Sequence, residues 1–339
     1  MWTIHKVRRK SLSQHDTAVQ GRLGRLERVI VIVCPGQGSQ TPGFLDPWLT
    51  ESSFRDQLTS ISEAVGIDLV AHGTVSDADT IRDTAVAQPL IVSAGLLTLS
   101  ALLAEGRHKK IGGIAGHSVG EVTAAAGAGV LSETDAVAFV RERGLAMAKA
   151  ASETPTGMSA VIGADEAELL ARLAELDLSP ANYNGAGQIV VAGALDALAR
   201  LSEEPPARAR VIPLQVAGAF HTRYMASAVP VLEQFAGTLT TNDPTLRLWT
   251  NHDGSEVTEG AEFLRLLVGQ VSSPVRWDLD MQAFQAAGVT GIIEVAPAGA
   301  LVGLAKRGLK GVPTVAIKTP EDLPAAFDLI DQAAEGDAR

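Results

Sequence analysis

The chain has 339 residues, of which 46% are hydrophobic and 4% aromatic, and its formal net charge is −11. This length and apolar content suffice for a large aliphatic core, and the negative charge argues against nucleic acid as a partner, because phosphate backbones require a basic surface. A single cysteine, Cys34, excludes a disulfide framework and a multi-cysteine metal site, so we expect a cytoplasmic protein in which Cys34 is buried.

The first 28 residues form a basic segment without an apolar run long enough for a signal peptide. We predict that residues 1–28 are a disordered extension. The chain then enters the apolar run RVIVIVCPG (28–36), which is typical of a buried parallel strand that ends at Pro-Gly. No stretch approaches the roughly 20 apolar residues of a membrane-spanning helix, so we expect no membrane partner.

Helices and strands alternate in the next part of the chain. A long apolar pattern predicts a helix over 85–106, and IGGIAGH (111–117) predicts a strand. Helices follow over 119–131 and 134–150. This alternation favours an α/β domain with a parallel sheet.

The pattern changes between residues 155 and 216. The predicted elements are a strand, a helix, two strands, a helix and a strand, over 157–163, 165–176, 179–184, 188–193, 194–204 and 209–216. The order β-α-β-β-α-β is ferredoxin-like. We therefore predict a small ferredoxin-like subdomain over 155–216, inserted into a large domain of residues 29–154 and 217–339.

The large domain resumes with a mostly helical segment over 221–239. Further strands are predicted at 246–251, 291–297 and 313–318, with helices at 261–271, at 277–288 and between the last two strands.

The sequence GHSVG (116–120) has the pattern G-x-S-x-G between a predicted strand and a predicted helix. That context is the one a nucleophile elbow requires, and it makes the large domain α/β-hydrolase-like. The glycines allow a strained turn, and the helix N-terminus suits a developing oxyanion. The alternative is an ordinary turn in which Ser118 caps the helix.

A serine nucleophile needs a base. His221 follows an apolar strand and the tight segment AGAF, which makes it the first candidate, and His252 is the second. His117 is too close along the chain to reach the Ser118 hydroxyl easily. The alternative is that each histidine is structural.

Several motifs occur together and in order between about Val29 and Lys318. They are PGQGSQ (35–40), QPL (88–90), GHSVGEV (116–122), RG (143–144), GAFHT (218–222), SPVRW (273–277) and EVAPAGALVGLAKR (294–307). With this set the chain resembles the malonyl-CoA:acyl-carrier-protein transacylases, the family that also supplies the acyltransferase domains of polyketide synthases.

The resemblance implies a ping-pong transfer of malonyl from malonyl-CoA to the phosphopantetheine thiol of an acidic acyl carrier protein, for fatty acid or polyketide synthesis. Ser118 would carry the malonyl ester, and His221 would take and return the proton. No permanently bound cofactor and no metal are implied. The carrier protein would be a transient partner, and we expect a monomer.

The resemblance also assigns supporting groups. The backbone carbonyl of Gln270 would orient His221, and the N–H groups of Val119 and Gln37 would form the oxyanion hole. The loop PGQGSQ could instead cradle a nucleotide phosphate, but it lacks G-x-G-x-x-G spacing and a P-loop lysine.

Choosing malonyl over acetyl requires a cation that can grip a carboxylate, and arginine has the planar geometry for it. Arg143 lies at the position of the family's carboxylate-binding arginine. Arg141, two residues away on the same helix, must face elsewhere. Phe220 would fill the space that the branch methyl of methylmalonyl needs.

Four further side chains complete the predicted site. His117, Asn182 and Asn184 would line the substrate cleft, although Asn in a hairpin is commonly turn chemistry. Asn251 would support the site from behind. The carrier surface would use basic residues that could equally be solvated charges, namely Lys306, Arg307, Lys310, Arg208 and Arg210.

Two other functions compete with this interpretation. A serine esterase or thioesterase could use the same elbow and discharge the acyl-serine to water. A carrier-docking module without catalysis would form no adduct, and the presence of Ser118, Arg143 and His221 together argues against it.

Overall fold

The chain folds around two β-sheets, and the computed structural model describes residues 29–335. Its strands are β1 (Val29–Cys34), β2 (Gly113–Gly116), β3 (Thr156–Ile162), β4 (Ser179–Gly185), β5 (Gln188–Ala194), β6 (Arg210–Pro213), β7 (Arg247–Leu248), β8 (Val289–Glu294) and β9 (Thr314–Ala316). Its α-helices are α1 (Ser52–Val65), α2 (Leu69–Thr74), α3 (Thr84–Leu102), α4 (Gly120–Gly127), α5 (Glu133–Glu153), α6 (Glu166–Glu175), α7 (Leu195–Glu203), α8 (Val229–Ala236), α9 (Gly260–Gln270), α10 (Trp277–Ala286), α11 (Ala300–Gly308) and α12 (Leu323–Glu335). The predicted disordered extension, residues 1–28, lies outside the described residues.

The first sheet is parallel and has the strand order β7-β2-β1-β8-β9. β1 is almost entirely buried, which explains why a continuous run of Val and Ile forms it rather than an alternating pattern. In the pairing of β1 with β2, Cys34 lies opposite Gly116. The loops that follow these two strands therefore meet at one edge of the sheet, where sites of α/β proteins commonly form.

The second sheet is antiparallel, with the order β4-β5-β3-β6. Helices α6 and α7 pack on one face over a separate apolar core that includes Val161, Leu169, Leu173, Val191, Leu198 and Leu201. Alternate residues of the strands point the other way, and Met158, Ala160 and Val190 line a cavity shared with the parallel sheet. The mixed α/β fold with a parallel sheet is confirmed, and β3 to β6 have the predicted β-α-β-β-α-β order.

Several predicted elements differ from the structure in extent. The strand predicted over 246–251 is two residues long, because the chain leaves the sheet after Leu248 and the Thr250 N–H bonds instead to Ser255. The segment 221–239 is a 3-10 turn over Arg223–Ala228 followed by α8. Helices α1, α2 and α12 were not among the predicted elements.

The expectation that no segment is long and apolar enough to cross a membrane is wrong for α3. An 18-residue stretch of this 19-residue helix has a mean hydropathy of 1.7, which meets that test by length and composition. However, 78% of that stretch is buried inside the fold, where it forms a central part of the large core. A buried core helix of this kind passes the same test as a membrane span.

Candidate active site

Ser118 lies in the sharp turn between β2 and α4, in the left-handed backbone region at φ 54°. The two flanking glycines are there because of close packing. A Cβ on Gly116 would come within 2.0 Å of the Gly120 carbonyl carbon, and a Cβ on Gly120 within 2.1 Å of the Cys34 oxygen. The strand–turn–helix geometry of the elbow therefore excludes side chains on both sides of the serine.

The structure brings Ser118 and His221 together across 103 residues of chain. Ser118 Oγ lies 2.7 Å from His221 Nε2, and His221 Nδ1 lies 2.9 Å from the backbone oxygen of Gln270. Because a carbonyl oxygen only accepts, Nδ1 carries the proton and Nε2 is free to accept one from the serine. His252, the second candidate, is exposed and lines a different cavity.

Burial, together with the nearby Arg143 cation, lowers the pKa of His221 to about 3. The ring is thus neutral at physiological pH, as a proton acceptor must be. No carboxylate within residues 29–335 bonds to the ring, so its orientation depends on the Gln270 carbonyl and on the His221 N–H, which donates to the Val271 oxygen at 3.0 Å.

Arg143, on α5, is completely buried beside Ser118. Its Nη1 donates to Gln88 Oε1 and its Nη2 to Gln270 Oε1, both at 2.8 Å, and Nη2 lies 3.4 Å from Ser118 Oγ. Burial lowers its pKa to about 10, so it stays charged at neutral pH. Its hydrogen-bond partners are neutral, and Nε has no partner among the described residues. In the part of the chain that the structure describes, this buried cation makes no hydrogen bond to a carboxylate.

Asn251 holds the serine turn from behind. Its Oδ1 accepts from the Ser118 N–H and its Nδ2 donates to the Gly116 oxygen, both at 2.7 Å. Nδ2 also donates to Asp280 Oδ2 at 2.7 Å. The polar groups of this side chain are directed at the turn or at the residues that support it.

A cavity of about 410 Å³ opens at Ser118 between the two sheets. Predicted site residues that line it are Gln37, His117, Ser118, Val119, Asn182, Asn184, Phe220 and His221. His117 Nε2 lies 3.0 Å from Asn184 Oδ1, so one hydrogen bond joins the elbow to the antiparallel sheet. The His117 ring also packs edge-on against Trp277 and has a pKa lowered by burial.

Three buried polar residues of the site were not predicted. Gln88 bonds Arg143, Asp280 bonds Asn251, and Glu121 accepts from the Asn251 N–H at 2.6 Å. Gln88 and Glu121 belong to the QPL and GHSVGEV motifs. Glu121 is the one charged residue in the otherwise small and apolar segment VGEVTAAAG, and this sequence feature could have indicated a buried polar contact.

The predicted basic surface is exposed. Lys306, Arg307 and Lys310 lie at the end of α11 and just after it, and Arg208 and Arg210 lie at the start of β6. Arg307 also lines the cavity and donates to Gln188 Oε1 at 3.1 Å. Among residues 29–335, no group of three or more His, Cys, Asp or Glu side chains could hold a metal ion.

The chain was compared with known protein families and with curated proteins. Residues 31–322 match the model of the acyl transferase domain. The chain is 51% identical over 305 residues to the malonyl CoA-acyl carrier protein transacylase of Mycobacterium tuberculosis, covering 89% of this chain and 100% of that protein. It is 33% identical over 304 residues to the Escherichia coli transacylase, covering 88% of this chain and 98% of that protein.

Solved structures show the same likeness. The crystal structure of the M. tuberculosis enzyme matches with a TM-score of 0.86 and 50% identity, over 88% of this chain and 99% of that one. A malonyl-transacylase in complex with its type II polyketide synthase acyl-carrier protein matches with a TM-score of 0.84 and 28% identity, over 89% of this chain and 99% of that one.

Proposed function

The chain belongs to the acyl transferase family, and from that premise we propose that it transfers the malonyl group from malonyl-CoA to the phosphopantetheine thiol of an acyl carrier protein. The observation that carries the proposal is the pairing of a serine with a histidine base, beside a buried arginine that bonds to no carboxylate among the described residues. Ser118 and His221 supply acyl-transfer chemistry. Arg143, 3.4 Å from the Ser118 oxygen, supports selection of an acyl group that ends in a carboxylate.

In the first half-reaction, Ser118 Oγ attacks the thioester carbonyl while His221 Nε2 takes the serine proton. The N–H groups of Val119 and Gln37 would stabilise the oxyanion, since both residues line the cavity at the nucleophile. The C–S bond then breaks, and His221 returns the proton to the CoA sulfur. The product is a malonyl ester on Ser118.

In the second half-reaction, His221 takes the proton of the carrier thiol, whose sulfur attacks the ester. The C–O bond to Ser118 breaks and the serine recovers its proton. The imidazolium formed in each half is oriented by a neutral carbonyl, that of Gln270, which stabilises it less than a carboxylate would. The substrate carboxylate compensates, because it offsets the Arg143 charge that helps to lower the pKa of His221.

The competing esterase or thioesterase would pass the acyl group to water. Mass spectrometry of the protein after addition of malonyl-CoA separates the two functions. We expect a malonyl adduct on Ser118 that persists in buffer and disappears when carrier protein is added. Ser118→Ala should form none. An adduct that water discharges as fast as carrier protein does would contradict the transferase.

The remaining parts of the proposal concern partners and organisation. We propose a cytoplasmic monomer without a permanent cofactor, acting in fatty acid or polyketide synthesis. The large domain would be residues 29–154 and 217–339, and the small subdomain 155–216. An acidic carrier protein would dock on the exposed basic residues near the cavity. One of them, Arg307, also lines the cavity itself.

A further inference from the structure

Glu121 is a buried carboxyl group that the mechanism above does not use. It is 1% exposed and lies in the first turn of α4, three residues after Ser118. Its Oε1 accepts from the Asn251 backbone N–H at 2.6 Å, and its Oε2 accepts from Gln270 Nε2. Two donors directed at the two oxygens suit an ionised carboxylate.

Gln270 connects this carboxylate to the substrate-binding cation. Its amide NH₂ group donates to Glu121, and its amide oxygen accepts from Arg143 Nη2 at 2.8 Å. A carboxylate only accepts, so Glu121 determines which end of the amide faces Arg143. One neutral amide therefore separates two buried charges that attract each other.

This spacing has a chemical advantage. A glutamate bound directly to Arg143 would occupy the donors that a substrate carboxylate needs. An arginine without any nearby negative charge would be costly to bury. Placing the carboxylate behind Gln270 stabilises the cation and leaves its other donors free of a carboxylate partner among the described residues, including the Nε group, which has no hydrogen-bond partner there.

We propose that the ionised form of Glu121 is the counter-charge of Arg143 in the empty site, and that each molecule in which Glu121 is ionised takes up a proton when the substrate carboxylate binds. This inference rests on the proposed function. With the substrate present, two carboxylates share one buried cation, and the one without direct contact loses its compensation and binds a proton. The proton comes from solvent and returns to it after the malonyl group has moved to the carrier thiol.

A second cavity gives solvent a route to Glu121. Its volume is about 140 Å³, and its lining includes Glu121, Thr250, Gln270 and the exposed His252. It shares no lining residue with the substrate cavity. Protons can therefore exchange with Glu121 without passing the nucleophile.

The titratable or charged side chains near this carboxyl, taken element by element, are Arg143 on α5, Arg265 on α9, Asp280 on α10, His252 in the loop between β7 and α9, and His221 beside Ser118. Burial raises the pKa of Glu121 to about 8, against the opposing effects of its hydrogen bonds and Arg143. Burial, with Glu121 nearby, also raises the pKa of Asp280 well above its usual range. The pKa of His221, about 3, is far from the pH at which Glu121 titrates.

Calorimetric titration of the Ser118→Ala protein tests the inference, because acyl transfer is then blocked. Malonyl-CoA and acetyl-CoA, which differ by the carboxylate, are titrated at several pH values in two buffers of different ionisation enthalpy. The resting pKa of Glu121 is about 8. On binding malonyl-CoA, the protein should therefore take up about half a proton more per site than on binding acetyl-CoA at pH 8, and about a tenth of a proton more at pH 7. Uptake by a histidine would instead grow as the pH falls.

Two double variants locate the proton. Ser118→Ala/Glu121→Gln should lose the extra uptake, whereas Ser118→Ala/Asp280→Asn, which alters the other buried carboxyl bonded to Asn251, should keep it. Equal uptake for both ligands, or uptake that survives Glu121→Gln, would overturn the inference. If Glu121→Gln does not fold, a rise in uptake from pH 7 to pH 8 in the parent still supports it, and a flat profile overturns it. Failure of the proposed function looks different: the Ser118→Ala protein would not prefer malonyl-CoA over acetyl-CoA.

Discussion

The parallel and the antiparallel sheet face the same cavity, but they hold their polar side chains in different ways. At the edge of the parallel sheet, Ser118, His221 and Arg143 are joined to one another or to Gln270 by hydrogen bonds. The antiparallel sheet contributes mainly an apolar wall with two asparagines, of which Asn184 makes one bond to the elbow. A change in the first region should disturb several groups at once, and a change in the second should alter fit.

The largest expected effect is in the parallel-sheet region. Arg143→Ala should lower malonyl transfer about 100-fold or more and acetyl transfer by much less, because only malonyl has a carboxylate to bind. The measurement is the rate of adduct formation on Ser118 with each acyl-CoA. Arg141→Ala is the matched control, since Arg141 is half-exposed and pairs with Glu142 at 3.0 Å. Equal loss of both activities would remove the proposed carboxylate clamp.

A smaller effect is expected where the two regions meet. Phe220 is 6% exposed and lines the cavity next to His221. Phe220→Ser should raise the use of methylmalonyl-CoA relative to malonyl-CoA by about tenfold, because the lost ring leaves room for a methyl group. Competition between the two substrates, read as the ratio of adduct masses, measures this. A ratio equal to that of the unchanged protein would show that the ring is not the wall.

The antiparallel sheet should give a milder result. Asn184→Ala removes one hydrogen bond, that to His117 Nε2, and leaves the Ser118–His221 pair in place. We expect KM for malonyl-CoA to rise about threefold to tenfold with kcat within about twofold, as for the loss of one neutral hydrogen bond. A large fall in kcat would show that Asn184 affects the reacting groups themselves and does more than line the cavity.

The smallest expected effect concerns pH, since we expect almost no change in the rate of adduct formation near neutrality. Because burial and Arg143 hold the pKa of His221 at about 3, the ring is neutral from pH 5.5 to 7.5, and the rate of adduct formation should be nearly constant there. Protonation would slow the reaction only as the pH falls toward that value. Rapid-quench mass spectrometry across this range measures the rate. An acid limb centred near pH 6.5 would mean that His221 titrates like a free histidine.

Much of the fold was predictable because its signals are local. The run VIVIVC and the β-α-β-β-α-β pattern of residues 155–216 depend on hydrophobic spacing within short windows. The strand predicted at 246–251 failed for a tertiary reason. Its last residues leave the sheet so that Asn251 can bond the Ser118 N–H, and nothing in the local pattern indicates this.

The site divides in the same way. Ser118 could be proposed from its own pentapeptide, His221 from its position after AGAF, and Arg143 and Gln270 from the family resemblance. Gln88, Glu121 and Asp280 could not, because a buried polar side chain is distinguished from a surface one only by what covers it.

By itself, the sequence determined the serine turn through the pattern G-x-S-x-G and through local sterics at Gly116, where a Cβ would meet the Gly120 backbone of the same turn. The need for glycine at position 120 is tertiary, because a Cβ there would meet the distant Cys34 backbone. The sequence also determined the alternation that produces the two sheets. Only the tertiary structure decided which groups act together, because Arg143 and Gln270 are 127 residues apart and meet through helix packing. Short-range sterics act within a few residues, whereas the electrostatics of the site depend on which distant side chains are buried in common.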